Sequence, residues 1–160
     1  MITPSVKNKF KVNPTRLANL EKLLKDAAQF EVAVGFPATK EGLGQPWYEG
    51  GASIIDVAIW NNYGMGVPAR PFMDLARGKM QELYRTEMAK LAENIRAGNI
   101  NIERTLNAIG MKAAEEVRKA IFDGGWEPND PETARRKGSD RPLVDTGEMA
   151  RRATHHVRRK

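Results

Sequence analysis

Residues 73–125, MDLARGKMQELYRTEMAKLAENIRAGNINIERTLNAIGMKAAEEVRKAIFDGG, carry two apolar stripes of the same period. Met73, Ala76, Met80, Leu83, Tyr84, Met88, Leu91 and Ile95 recur at helical spacing to about Ala97, and Gly98 ends the run. Asn101 offers an N-cap, and Ile102, Leu106, Ile109, Ala113, Val117, Ala120 and Ile121 carry the second stripe to Gly124-Gly125. Two amphipathic helices joined by so short a turn are predicted to pack as an antiparallel hairpin.

Upstream lies WNNYGMGVPARPFM, Trp60 to Met73. Ser53 can cap a short helix through Tyr63, with Ile54, Ile55, Ala58, Ile59 and Asn62 inward and Gly64 closing it in a left-handed conformation. Pro68 and Pro71 flank Arg70 and restrain the backbone that presents Arg70 and Phe72. Two readings stay open: the pair meets a partner in fixed register, or Phe72 caps the core and Arg70 pairs within its own subunit. Further upstream, Glu31–Phe36 reads as a strand with Val32, Val34 and Phe36 on one face. Asn13-Pro14 reads as the start of a helix bearing Leu17, Leu20, Leu23, Leu24, Ala27 and Ala28. PATKEGLGQPWYEGG, between strand and helix, is a long Gly- and Pro-rich loop. Residues 1–12 read as an arm or an added edge strand.

Downstream, Trp126 to Arg141 is polar and holds Pro128 and Pro131, with Pro142 just beyond, so it is expected to be loop. Trp126 either plugs the end of the hairpin or anchors a partner. In PLVDTGEM, Asp145 can cap a helical turn answered by Glu148. RRATHHV can form a last strand with Ala153, His155 and Val157 on one face. The expected class is α+β: a small antiparallel or mixed β-sheet packed against a long α-helical hairpin, with extended loops and a basic C-terminal segment. Residues 1–12 are the arm, 13–150 a single domain, and 151–160 a basic strand or tail.

The net charge of +6 is unevenly placed. Residues 135–160 hold nine Lys/Arg and three Asp/Glu, so the remainder has 26 − 9 = 17 basic and 20 − 3 = 17 acidic groups and is neutral. A basic end suits a polyanion, an acidic protein surface or plain solubility. It lacks the helix-turn-helix or aromatic sheet of a sequence-reading protein, so only loose phosphate contact is expected. There is no cysteine, hence no disulfide or thiolate metal site. No apolar run approaches the roughly 18 residues that span a bilayer, so no membrane partner is expected. MITPSVKNKFKVNP has no apolar h-region and does not read as a secretory signal, which points to a cytosol-like compartment.

Reaction chemistry is sparse. GMGVPA, Gly64 to Ala69, has dinucleotide-like spacing, but a helix precedes it and Pro68 and Pro71 remove amides that a pyrophosphate needs. GLGQPW, Gly42 to Trp47, fails in the same way. His155 and His156, the only histidines, are strand neighbours that point to opposite faces and cannot together chelate a metal. Acidic pairs such as Glu115-Glu116 lie among helical Lys and Arg as exposed partners. Ser53 and Ser139 have no base in any recognisable pattern. No catalytic residue, cofactor or metal is expected, and the chain does not read as an enzyme.

Four motifs keep a characteristic order: N-x-Y-G at Asn61–Gly64, P-x-R-P-F at Pro68–Phe72, G-G-W-x-P at Gly124–Pro128 and L-x-D-T-G at Leu143–Gly147. In that order, from about Ser53 to Met149, the chain resembles the tail-completion and neck proteins of long-tailed bacteriophages. These include the minor tail protein Z type of lambda-like phages and the Mu-type virion morphogenesis proteins. The resemblance implies a structural protein without catalysis, located in the virion neck after assembly in the host cytoplasm. It implies a homo-oligomeric ring, usually a hexamer, on the head-proximal end of the tail tube. That ring terminates the tail and joins it to the head–tail connector or stopper. On this reading Arg70, Phe72, Trp126, Asp145 and Thr146 are candidate subunit or partner contacts. Arg151, Arg152, Arg158, Arg159 and Lys160 are candidate contacts to DNA in the channel. The alternative is a small basic nucleic-acid-binding protein. The N-terminal 50 residues and the Arg-rich end depart from the family pattern.

Overall fold

The computed structural model describes residues 13–38, 46, 50–97 and 101–160. The arm at 1–12, most of the Gly- and Pro-rich loop, the side chain of Ile95 and the Gly98 turn lie outside the described residues. The elements run α1 (Pro14–Ala27), β1 (Phe30–Gly35), α2 (Ile54–Tyr63), α3 (Phe72–Ala97), α4 (Ile102–Asp123), α5 (Pro131–Lys137), α6 (Glu148–Arg152) and β2 (Thr154–Arg159). The class is α+β, with a two-stranded antiparallel sheet against the α3–α4 hairpin.

Capping residues set most helix ends. Asn13 Oδ1 accepts from Thr15 N–H at 3.0 Å at the start of α1. Ser53 and Asp56 form a reciprocal capping box on α2, and Gly64 closes that helix at φ 73°. Asn101 caps α4 through Arg104 N–H. The capping contacts of Ser53 hold the Asp56 carboxyl below its usual pKa, its side-chain hydrogen bond foremost.

The sheet runs in the register Phe30↔Arg159 to Gly35↔Thr154, with Val32 opposite Val157. Cross-strand partners share a face, so Phe30, Val32, Val34, His155, Val157 and Arg159 stand together. Val34 packs on the core from this face, and His155 covers Gly110 of α4. The opposite face carries the Glu31–Arg158 ion pair. Ala113, Val117, Ala120 and Ile121 of α4 are buried, and Ile54, Phe72, Leu143 and Met149 complete the centre. On α1, which touches only the flank of α3 among its stronger contacts, Leu17 and Leu24 remain about half exposed (47% and 51%). The apolar stripe expected to turn inward is wider than the surface it meets.

Gly110 has no unusual backbone; it is needed for approach. A Cβ there would sit 2.5 Å from His155 Cδ2 and 2.7 Å from Cγ. Gly110→Ala gains about 1 kcal/mol of helix propensity but pushes α4 off β2. The variant is expected to be less stable by about 1–2 kcal/mol. In a urea-denaturation double-mutant cycle, His155→Ala should recover part of that loss. Wild-type stability for Gly110→Ala alone would show that the contact yields freely.

Candidate functional site

The Trp60–Met73 stretch is held from behind by a polar network. Arg70 N–H donates to Asn61 O at 2.8 Å, and Asn61 Nδ2 donates to Val57 O. The Asn62 side chain, buried on α2, accepts from Met73 N–H at 3.0 Å. It satisfies one of the amides that the first turn of α3 leaves without a helical partner. Phe72 N–H turns back to Arg70 O at 2.7 Å around Pro71. Gly64 packs on Ala69 so closely that a Cβ would lie 2.9 Å from the Ala69 Cβ.

This network points Arg70 and Phe72 inward, which corrects their assignment as side chains presented to a partner. Phe72 has no exposed surface and stands edge-on to Phe36, with centroids 6.3 Å apart and planes at 86°. Arg70 is 4% exposed, and Nε and Nη2 donate to Glu127 O while Nη2 also reaches Asn129 Oδ1. Burial draws the Arg70 pKa down and Glu127 opposes this, but a guanidinium so high in its range stays charged. The prolines therefore stiffen a loop whose two bulky residues clamp the protein to itself.

What the loop presents outward is different. Tyr63 is 72% exposed and Met65 57%, beside the partly exposed Ile59, Trp60 and Val67. Trp60 and Tyr63 fall off the buried Ile54–Ala58–Asn62 stripe of α2. That offset is the signal in the sequence that could have found them. Aromatic and Met side chains on a preorganised surface are what protein interfaces concentrate.

Behind this surface lies a pocket of about 240 Å³ lined by Val67, Arg70, Asn129, Arg136, Lys137, Asp145, Thr146 and Glu148, among others. It gathers Arg70, Asp145 and Thr146 from separate motifs. Arg136 and Lys137 come from α5, in a stretch expected to be loop. Asp130 caps this helix through Glu132 and Thr133, Pro131 follows at the first helical position, and Gly138 ends it at φ 65°. The Asp-Pro…Gly spacing carried that information. Leu143, buried at φ 60°, also lines the pocket in a conformation that L residues rarely adopt.

Two further assignments change. Asp145 does not cap α6: Gly147 occupies the N-cap at φ 77° with no side-chain bond, and Glu148 instead pairs with Arg151 and Arg152. Trp126, partly buried, plugs the end of the hairpin. Its Nε1–H donates to Ala120 O at 3.0 Å, and its ring lies where a Cβ on Gly124 would stand.

Family models, curated proteins and solved structures contain no match to this chain.

The basic C-terminal segment is built into the fold as β2. Arg158 pairs with Glu31 on one face, whereas the Arg159 guanidinium stacks 5.4 Å from the Phe30 ring centroid on the other. Lys160 N–H donates to Gln29 O at 2.7 Å. Arg151 and Arg152, on α6, share Glu148. These five residues do not converge on one surface.

Proposed function

We propose that this chain is a structural virion protein that forms a ring at the head-proximal end of a phage tail tube. The ring terminates the tail and joins it to the head connector or stopper. The observation that carries the reading is the exposed Trp60–Tyr63–Met65–Val67 surface, held by the Asn61, Asn62 and Arg70 contacts. A ring closes only if each subunit meets the next at one fixed rotation. A surface stiffened from behind loses little conformational freedom when it is covered. The order of the four sequence motifs supports the phage assignment, with a hexamer as the expected ring. The dispersed basic residues favour this over a nucleic-acid-binding function.

Electron microscopy of a lysate carrying an early stop codon in this gene tests the role. Filled heads beside unattached tails are expected; intact virions would overturn it. Tyr63→Ser and Met65→Ser separate assembly from folding. Each should change stability by no more than about 0.5 kcal/mol. Together they should reproduce the unattached tails, because interface aromatic residues often contribute about 2 kcal/mol or more.

A further inference from the structure

The sheet covers α4 and leaves part of α3 uncovered. α4 packs against both strands, whereas α3 has no comparable contact with either. Beside β1, where a third strand would lie, runs a groove of about 530 Å³. Phe30, Val32 and Val34 line it from the sheet, and Met80, Leu83, Tyr84 and Met88 line it from α3. No residue of β2 reaches it. Met80, Tyr84 and Met88 also line an adjoining hollow, so the apolar surface continues along α3.

The backbone of β1 is phased for such a strand. Lys160 N–H donates to Gln29 O, so in this antiparallel register Glu31, Ala33 and Gly35 are the residues that exchange hydrogen bonds with β2. Phe30, Val32 and Val34 therefore turn their N–H and C=O groups to the outer edge, which has no strand partner among the described residues. The same three residues line the groove. A strand bonded to that edge would lay every second side chain over α3.

One segment of the chain has the matching pattern. Val6, Phe10 and Val12 fall on one parity with Asn8 between them, and Lys7, Lys9 and Lys11 fall on the other. The Gly- and Pro-rich loop after β1 has no such alternation. The reach suffices as well. α1 brings Ala27 and Ala28 to the groove and touches the flank of α3. Its 14 residues span about 21 Å, whereas the twelve residues before Asn13 span about 40 Å when extended.

We propose that residues 6–12 add to the outer edge of β1 of the same chain as a third strand. Val6, Phe10 and Val12 enter the groove over α3, and the lysines stand on the opposite face, beside Glu31. This strand stands or falls independently of the virion role.

Amide hydrogen exchange on the full chain labelled with ¹⁵N reads the edge. The N–H groups of Phe30, Val32 and Val34 are expected to exchange at least about tenfold more slowly in the wild type than in Val6→Asp/Phe10→Asp. Those of Glu31 and Ala33, bonded to β2, should not change. Lys9→Gln should leave all five as in the wild type. In the wild type, nuclear Overhauser contacts should join the Phe10 ring to the methyl groups of Met80 or Met88. Equal exchange of the three outer amides in wild type and double variant, or no such contact, overturns the strand. Loss of their protection in Lys9→Gln overturns its facing. Mixing tests the source: the labelled double variant should keep its fast outer amides in excess unlabelled wild type. Recovery of protection would place a second copy's arm in the groove and overturn the same-chain strand.

Discussion

Phe72→Ala should lower the unfolding free energy by about 3–5 kcal/mol, the range for emptying a buried aromatic position. The ring is wholly enclosed, at the first residue of α3, beside Ile54, Ala58 and Val117 in the central cluster and edge-on to Phe36. Its removal leaves a cavity where α2, α3 and α4 meet, and the Asn62 bond to Met73 N–H resists collapse of the first turn. Phe72→Leu keeps most of the apolar volume and should cost less than half as much. Urea denaturation of the isolated protein, with the slope unchanged, measures both. If Phe72 served a partner, the isolated chain would be stable to within about 0.5 kcal/mol of wild type. That result would reverse the inward placement.

Arg70→Met should cost about 2–4 kcal/mol. The methionine retains the apolar body of the side chain but removes every donor to Glu127 O and Asn129 Oδ1. Replacing a whole buried polar pair by apolar groups can be nearly neutral, but here only one side is replaced. The acceptors stay, partly buried and without their donor. Arg70→Lys should recover less than half of the loss, since one ammonium cannot reproduce the planar fork that spans both acceptors. Residues 127–129 should lose amide-exchange protection in Arg70→Met, because the guanidinium ties that segment to the loop before α3. Unchanged stability would mean that water replaces the guanidinium at no cost.

The elements whose cause is local were legible in the residues. The α4 stripe, the Ser53 and Asn101 caps and the left-handed Gly64 follow from contacts within a turn or two, and the structure places them as read, whereas on α3 Tyr84 of the expected stripe is 57% exposed. The strand over residues 31–36 and the alternation of His155 and Val157 follow from period two. The short helix α5 was missed because the polar composition around it outweighed its Asp-Pro start and Gly end. Asp145 was misread as a cap because a capping pattern does not exclude a glycine cap in the same turn.

By itself the sequence determined that two long helices pair, where those two helices and α2 begin and end, and that the Arg70 backbone is stiff. Each of these rests on sterics and hydrogen bonds between near neighbours. Only the tertiary structure decided which way the stiff loop faces. Arg70 meets Glu127 across a separation of 57 residues, and Phe72 meets a core assembled from four helices, Leu143 and Ala153 just before β2. No local pattern reports whether such a partner stands on the near side of a loop or the far side. The same long-range packing turned Tyr63 and Met65 to the surface and gathered Arg70, Lys137 and Asp145 around one pocket.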